Sequence, residues 1–215
     1  MTIVIAIDGT FASGKGTLAK KLAASFGFAY LDTGKLYRAV GLRALDSKTD
    51  FNDGRKLARL AKKFTPKELN NPILKSGSVG SAASKVAVHS EVRAALYDFQ
   101  RNFAAQSGTK YKGAVLDGRD IGTVICPDAE VKLFVDAKPE VRAERRLKEL
   151  LSYGENVSLE AVTADLIERD HRDQNRDEAP LKPDVNAHLL DTTNLSIDAA
   201  FMQARALIEI ILQQK

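Results

Sequence analysis

The 215-residue sequence predicts a three-layer α/β protein with a mostly parallel, five-stranded sheet covered by helices on both faces. Short continuous apolar runs recur along the chain, as is typical of strands that are buried on both sides of a parallel sheet. Amphipathic segments with helical spacing separate these runs, which indicates strand–helix–strand units. The length suits one compact domain with room for a small insertion.

The predicted elements follow one another in a regular order. The first strand, IVIAI at 3–7, precedes a Gly-containing loop and a helix in which Leu18, Leu22 and Phe26 recur every four residues. Gly27 stands where a helix C-cap is expected. The other strands are predicted at 28–32, 113–117, 131–136 and 187–191, and the other helices at 36–45, 139–151, 158–170 and 196–213.

The stretch 46–112 interrupts this alternation. It contains a basic helical pattern at 55–64, a connection rich in Pro, Asn and Gly at 65–81, and one helical run from Ala82 to about Gln106. No alternating strand pattern appears in 46–81. We therefore predict a single domain with a core at 1–45 and 113–215 and an insertion at about 46–112, which lies over the carboxyl edge of the sheet, where open α/β sheets bind ligands.

Composition and charge exclude several classes of protein. The net charge is +4, but the first 100 residues carry 16 basic and 8 acidic side chains, a net charge of +8, which suggests an anionic ligand and at first keeps nucleic acid open as a partner. The apolar runs are too short to span a membrane, and the N-terminus does not resemble a signal peptide. Cys126 has no second cysteine for a disulfide, and the three scattered histidines do not match a zinc-ligand spacing. We expect a cytoplasmic enzyme without a structural metal, in which Cys126 is a small buried apolar residue.

The most specific local motif is GTFASGKGT, between the first strand and the first helix. Gly9 and Gly14 permit backbone angles that a side chain would forbid, so successive N–H groups can turn inward around phosphate oxygens. The following helix presents its positive dipole end to the same anion, and Lys15 can reach the transferred phosphate. The motif predicts a phosphate-binding P-loop made of Gly9, Thr10, Phe11, Ala12, Ser13, Gly14, Lys15, Gly16 and Thr17.

The motif departs from the general P-loop pattern at one position. Gly16 follows Lys15 where Ser or Thr would bind magnesium, and Thr17 comes one place later. This departure is typical of nucleoside-monophosphate kinases, in which phosphate and water can supply much of the metal's coordination shell. We predict no dedicated metal site, with Mg²⁺ carried by ATP and Thr17 as a candidate ligand.

Three clusters combine arginine with aspartate. LDTGKLYR at 31–38 and LDGRDIGT at 116–123 follow predicted strands, and ERDHRDQNRDEAPLKP occupies 168–183. In a helix, Arg169, Asp173 and Arg176 would share one face. A solvated surface with salt bridges is the alternative for that last run. The planar guanidinium group suits phosphate oxygens, so the three clusters together favour a site for an anion.

Together these motifs resemble the bacterial cytidylate kinases. The resemblance runs in the same order from residue 3 to about 198, through IAIDGTFASGKGTLAKKLA, YLDTGKLYRAV, AASKVAVHSEVRAAL, FQRNFAAQ, VLDGRDIGTVICPDAEVKLFV, AERR, ERDHRDQNRDEAPLKP and LLDTTNLSID. Many members have a small antiparallel sheet in the insertion and a proline before the VR pair. Here the insertion looks helical, and Ser90 replaces that proline in HSEVR.

The resemblance implies a P-loop NTPase-type fold and transfer of the γ-phosphoryl group of ATP to CMP or dCMP, in pyrimidine nucleotide metabolism. It implies that Arg38, Arg119 and Arg176 hold the acceptor phosphate, and that Thr33, Arg169 and Asp173 contact the ribose. Ser84, Arg93 and Asp120 would read the cytosine. Of these residues, Arg119, Arg169 and Arg176 are expected to act in catalysis together with Lys15. Arg145 and Arg146 lie in a lid-like helical region at about 139–176 and are candidates for closing over ATP; their alternative is exposed helix charges.

The implied reaction needs no general base, because a phosphate monoester is mostly a dianion at neutral pH. Two other functions remain open: a P-loop kinase for a small hydroxyl compound, with Asp32 as base, and a P-loop switch or nucleic-acid-binding NTPase. The sequence lacks an NKxD-type motif for the switch and an aromatic-rich basic stretch for nucleic acid. The expected partners are ATP and CMP or dCMP, with no nucleic acid and no membrane, and the chain is expected to be a monomer.

Overall fold

The computed structural model describes residues 2–214. Its five strands are β1 (Ile3–Gly9), β2 (Ala29–Asp32), β3 (Gly113–Gly118), β4 (Val131–Asp136) and β5 (His188–Asp191). They form one sheet in the order β2-β3-β1-β4-β5, and every neighbouring pair is parallel. The carboxyl ends of all five strands therefore meet at the same edge, which confirms the predicted fold class.

The α-helices of residues 2–214 are α1 (Lys15–Phe26), α2 (Gly34–Asp46), α3 (Gly54–Lys62), α4 (Gly77–Val86), α5 (Ser90–Gln106), α6 (Pro139–Ser152), α7 (Leu159–Asn175) and α8 (Ile197–Gln213). Short 3₁₀ helices occupy Pro66–Asn70, Pro72–Lys75 and Ser107–Thr109, and a π-helical turn occupies Ile121–Ile125. Among these helices, none is both long and apolar enough to cross a membrane.

Side chains alternate between the two faces of the sheet, and each face has its own apolar core. On one face, Ile5 and Ile7 of β1 pack with α1 and α8. On the other face, Ala6 and Leu116 pack with α5 and with the segment 121–126. Cys126 lies in this second core, as predicted, and burial raises the pKa of its thiol to about 11.

Helices α3, α4 and α5 share an apolar core with α2. Leu36 and Val40 of α2 pack with Leu57 of α3, Val86 of α4 and Leu96 of α5. Because α5 also packs against the sheet through Ala104, it connects the sheet to α3 and α4.

The predicted helical run from Ala82 to Gln106 is wrong as a single helix. The chain is extended at His89, whose ring Nε2 lies 2.7 Å from the carbonyl oxygen of Phe51, so a contact with a distant residue breaks the run. The connection at 65–81 also differs from its prediction. It contains two 3₁₀ helices that begin at prolines, and α4 begins at Gly77 because the Ser76 hydroxyl caps its N-terminus by accepting from the Val79 amide.

Candidate active site

The P-loop lies at the carboxyl edge of the sheet, between β1 and α1. Gly9 has φ +149°, and a Cβ atom there would lie 1.9 Å from the carbonyl oxygen of Val135, so β4 approaches too closely for a side chain. Gly14, the N-cap residue of α1, has φ +88°, as its predicted role requires. The N-terminus of α1 thus opens onto the edge of the sheet, where it favours an anion.

Side chains beneath the loop fix its shape. Thr10 Oγ1 donates to Asp136 Oδ1 at 2.6 Å, and Ser13 Oγ donates to the Thr10 carbonyl oxygen at 3.0 Å. Lys15 Nζ donates to that same carbonyl at 3.1 Å, while Arg142 Nη1 donates to the carbonyl oxygen of Phe11 at 3.1 Å. Lys15 is buried in this arrangement.

The loop separates two cavities. The first, of about 260 Å³, is lined by Phe11, Lys15 and Gly16 of the loop and by every residue predicted to bind the acceptor nucleotide: Thr33, Arg38, Ser84, Arg93, Arg119, Asp120, Arg169, Asp173 and Arg176. The second, of about 410 Å³, is lined by Ser13, Leu18, Arg145, Arg146, Thr192, Leu195, Ser196, Ile197 and Ala200. Ala12, Gly14, Thr17 and Glu149 line both cavities, so two ligands could meet across the loop.

Carboxylates alternate with arginines around the first cavity. Arg93 forms a buried ion pair with Asp120, and Arg176 Nη2 lies 3.8 Å from the other oxygen of Asp120. Arg119 Nε donates to Asp173 Oδ2 at 2.8 Å. Ion pairs between separate elements therefore hold the guanidinium groups in place.

Several buried donors in this wall have no acceptor within residues 2–214, among them Arg169 Nε and Arg176 Nη2. The Arg169 guanidinium stacks over the Phe11 ring, 4.0 Å from its centroid. Leaving buried N–H groups unpaired costs free energy, and phosphate or hydroxyl oxygens in the cavity would satisfy them.

The buried, closely spaced cations of this site have lowered pKa values. Burial, together with the nearby Arg119, lowers the pKa of Lys15 to about 7. Burial likewise lowers the pKa of Arg169 to about 9 and depresses those of Arg38 and Arg176. A bound anion would favour the charged forms and reverse these shifts.

Two aspartates, absent from the predicted site, also line the first cavity. Asp32 and Asp117 are register partners at the ends of β2 and β3, and Asp117 accepts from the Tyr30 hydroxyl at 2.6 Å. Burial and the charge of Asp32 raise the pKa of Asp117 to about 7. Asp32 and Asp117 line the same cavity as the exposed Thr17, and carboxylate and hydroxyl oxygens are donors that fit Mg²⁺. The position of the two aspartates at the carboxyl ends of two predicted strands was the sequence signal for them.

Asp8, at the end of β1, was also missed. It is buried and accepts from the amides of Ile121 and Gly122 at 2.8 and 2.7 Å, and burial raises its pKa to about 6. These bonds fix the turn that follows Arg119 and Asp120. Its sequence signal was an acidic residue directly before the P-loop.

Arg145 and Arg146 both line the second cavity, and neither is a freely exposed helix charge. Arg145 donates to Thr192 Oγ1 at 3.0 Å and to the Thr192 carbonyl at 2.7 Å. Arg146 is buried, pairs with Glu149 at 2.7 Å and lies over the Phe11 ring. Thr192 lies in the LLDTTNLSID segment but was assigned no role, because only the fold brings it to the loop.

Helix α7 covers the first cavity by contacting α4. Arg169 Nη1 donates to the carbonyl oxygen of Gly80 at 3.3 Å, and Arg172 Nε donates to Ser84 Oγ at 3.0 Å. Glu155, in the loop before α7, accepts from the Gly77 amide at 2.8 Å. Helix α7 and the loop before it are therefore in contact with α4 in this structure.

A helix that continued through Arg176 would have placed this residue on the same face as Arg169 and Asp173, and this condition is not met. Arg169 and Asp173 share a helix face, but the helix ends at Asn175 and Arg176 is extended. The chain turns back there because the Leu181 amide donates to the carbonyl oxygen of Asp173 at 2.7 Å. Arg176 nevertheless lines the cavity.

Comparison with known proteins identifies the family of the chain. Residues 5–209 match the family model described as cytidylate kinase. A cytidylate kinase from Rhodopseudomonas palustris (strain CGA009) is 52% identical over 97% of each chain, and one from Afipia carboxidovorans (strain OM5) is 51% identical over 96% of this chain and 97% of its own. An uncharacterized protein from Eubacterium ventriosum shares the fold, with a TM-score of 0.55 and 15% identity over 98% of this chain and 99% of its own. Because the family model spans almost the whole sequence and these two kinases match half of its residues, the chain belongs to the cytidylate kinase family.

Proposed function

We propose that the first cavity holds CMP or dCMP and that the second holds the nucleoside part of ATP, with the phosphates meeting at the P-loop. The reaction is that of the family: the γ-phosphoryl group of ATP passes to CMP or dCMP, giving ADP and CDP or dCDP. The observation that supports this assignment is that nine residues, distributed over several elements of the fold, line one cavity beside Lys15.

The acceptor phosphate is assigned to Arg38, Arg119 and Arg176. Arg38 Nη1 donates to the Leu74 carbonyl oxygen at 2.7 Å, and Arg119 Nε donates to Asp173. Both guanidinium groups are therefore held in place by the protein itself. Arg176 Nη2 is a buried donor without a hydrogen-bond acceptor within residues 2–214. Phosphate oxygens match such planar, charged donors.

The base is assigned to Ser84, Arg93 and Asp120. The exocyclic amine of cytosine is a donor, which the Asp120 carboxylate can accept. Uracil has an acceptor at that position and would leave the buried carboxylate unpaired, a mismatch that gives strong rejection. The ribose is assigned to Thr33, Arg169 and Asp173.

The chemistry is assigned to positioning and charge stabilisation. The N-terminus of α1 and Lys15 hold the ATP phosphates, and Arg145 and Arg146 border the second cavity. Arg119, Arg169 and Arg176 gather negative oxygens that would otherwise repel one another. The acceptor phosphate is itself the nucleophile, so no side chain has to remove a proton.

Asp32, Asp117 and Thr17 would hold Mg²⁺, which neutralises phosphate charge when bound. Closure of the segment 139–176 over the site would exclude water, to which an open site could lose the phosphoryl group. Since residues of one chain line both cavities, the proposal takes the protein as a monomer, working in the cytoplasm without nucleic acid.

Replacing the acceptor arginines tests this assignment. In Arg119→Ala or Arg176→Ala, kcat/KM for CMP should fall about 10²-fold or more, with the KM for ATP within about threefold. Arg101→Ala is the matched control, since Arg101 pairs with Asp128 at the surface at 3.1 Å. Unchanged use of CMP, or equal losses for ATP and CMP, would contradict the assignment.

A further inference from the structure

The contact between Arg172 and Ser84 extends the proposed function. Ser84 lies on α4, is buried and lines the first cavity, and its Oγ accepts from Arg172 Nε at 3.0 Å. A guanidinium group has donors only, whereas a hydroxyl has one donor and two acceptor positions. Arg172 therefore occupies an acceptor position of Ser84, and the hydroxyl proton has to point elsewhere.

Within the helix, the usual acceptor for that proton is already in use. A helical serine commonly donates to the carbonyl four residues earlier. That carbonyl belongs to Gly80, and it accepts from Arg169 Nη1 at 3.3 Å. Within residues 2–214, the side-chain hydrogen bond of Ser84 is the one from Arg172, so the remaining direction for its proton is the cavity.

We propose that Arg172 is a positioning residue that makes Ser84 a hydrogen-bond donor toward the base, and that this polarity contributes to the preference for cytosine over uracil. The inference rests on the proposed placement of CMP in this cavity. Cytosine has an unprotonated ring nitrogen and a carbonyl oxygen, both acceptors. Uracil has an N–H in place of that ring nitrogen, so two donors would face each other and neither would be satisfied.

A contribution to the stability of α7 does not account for the position of the Arg172 side chain. Its side chain is only 17% exposed, and its Nη2 is buried without an acceptor within residues 2–214. Its ion pair is with Glu168, one turn earlier and 69% exposed, and such exposed pairs contribute little. The Nη2 of this partly buried guanidinium, buried and unpaired among the described residues, costs free energy, and the contact with Ser84 gives Arg172 a function in substrate selection that accounts for its retention there.

Steady-state kinetics of Arg172→Met, Arg172→Lys, Ser84→Ala and the Arg172→Met/Ser84→Ala double variant test the inference with CMP, UMP and ATP. Arg172→Met should raise the KM for CMP about tenfold and lower the CMP-to-UMP ratio of kcat/KM by a similar factor. The KM for ATP should stay within about twofold. Arg172→Lys, which keeps a donor-only cation, should retain most of the preference for CMP.

The double variant separates positioning from structural support. If Arg172 acts through Ser84, adding Arg172→Met to Ser84→Ala should change the CMP-to-UMP ratio by less than about twofold. Arg205→Met is the matched control, because Arg205 pairs with Glu209 one turn away on α8 at 2.9 Å, and it should leave the ratio unchanged.

Two results would overturn the inference while leaving the proposed function intact: an unchanged ratio in Arg172→Met when Ser84→Ala alters it, or additive losses in the double variant. A CMP-to-UMP ratio in Arg172→Lys that is as low as the ratio in Arg172→Met would also reject the inference. If Ser84→Ala and Asp120→Asn both leave CMP use unchanged, the placement of the base is wrong, and the proposed function fails at that point.

Discussion

Asp120 is the residue whose chemistry best separates cytosine from uracil. The guanidinium groups of Arg93 and Arg176 flank its carboxylate, so its oxygens are fixed at the cavity wall. Asp120→Asn should lower the CMP-to-UMP ratio of kcat/KM about tenfold or more, because an amide presents a donor as well as an acceptor. Steady-state kinetics with both acceptors measure this ratio.

The matched control for that variant is Asp128→Asn, at an exposed aspartate that also pairs with an arginine. It should leave the ratio unchanged. A wild-type ratio in Asp120→Asn would reject the base-reading role.

Lys15 should take up a proton when ATP binds. Its pKa is lowered to about 7 in the free enzyme, and the charged phosphates favour the protonated amine, so binding raises that pKa. At about pH 8, calorimetry in two buffers of different ionisation enthalpy should therefore report net proton uptake by the wild type.

Lys15→Arg provides the comparison, because a guanidinium stays protonated over this range. The uptake should be clearly smaller in that variant, while Asp117 contributes in both proteins. Equal uptake would show that Lys15 is already charged in the free enzyme.

The packing of the P-loop against the sheet depends on the close approach of β4 to Gly9. In Gly9→Ala, the new methyl would lie 1.9 Å from the Val135 carbonyl oxygen, and φ at that position is +149°. We expect a loss of about 2–4 kcal/mol in the free energy of unfolding, measured by chemical denaturation.

Gly27→Ala is the matched control, since Gly27 also has positive φ, +67°, but no atom lies within 4 Å of a Cβ there. It should cost only about 1 kcal/mol. Equal losses in the two variants would mean that backbone angle, and not the contact with β4, makes Gly9 necessary.

The sequence predicted the elements that repeat a simple pattern and missed those that distant contacts shape. The strands and the P-loop follow from local apolar runs and glycine spacing. The break between α4 and α5 depends on His89 reaching the Phe51 carbonyl, and the extended conformation of Arg176 depends on the turn that brings Leu181 back to Asp173. Neither of these two contacts can be predicted from the local periodicity of the sequence.

The same limit applies to the site. Residues in recognisable motifs, such as Lys15, Arg119 and Asp173, could be predicted by position. Thr192 and Arg172 could not be assigned a role, because each contacts the site through a residue far away in the sequence. Only the fold brings Ser13 to Thr192 and Ser84 to Arg172.

The protein buries more cationic than carboxylate side chains, so its free energy of unfolding should increase when an anionic ligand binds. CMP at 100 times its Kd would add about 2.7 kcal/mol to the free energy of unfolding. For a chain of this size that corresponds to a rise in Tm of about 5–10 °C. Thermal unfolding monitored by circular dichroism measures the shift.

Cytidine, which lacks the phosphate, is the control ligand and should give a much smaller shift at the same concentration. Added salt should weaken the binding of CMP more than the binding of cytidine, because the arginines contact the phosphate. Equal shifts for CMP and cytidine would mean that the arginine-lined wall does not recognise a phosphate.

The most direct test measures ADP formed from ATP with CMP, dCMP, UMP, AMP, DNA or no acceptor. We expect rapid turnover with CMP and dCMP, a kcat/KM for UMP lower by about 10²-fold or more, and only background rates with AMP, DNA or no acceptor. Equal ADP formation without an acceptor, stimulation by DNA alone, or equal use of UMP and AMP would contradict a cytidine-specific phosphoryl transfer at this site.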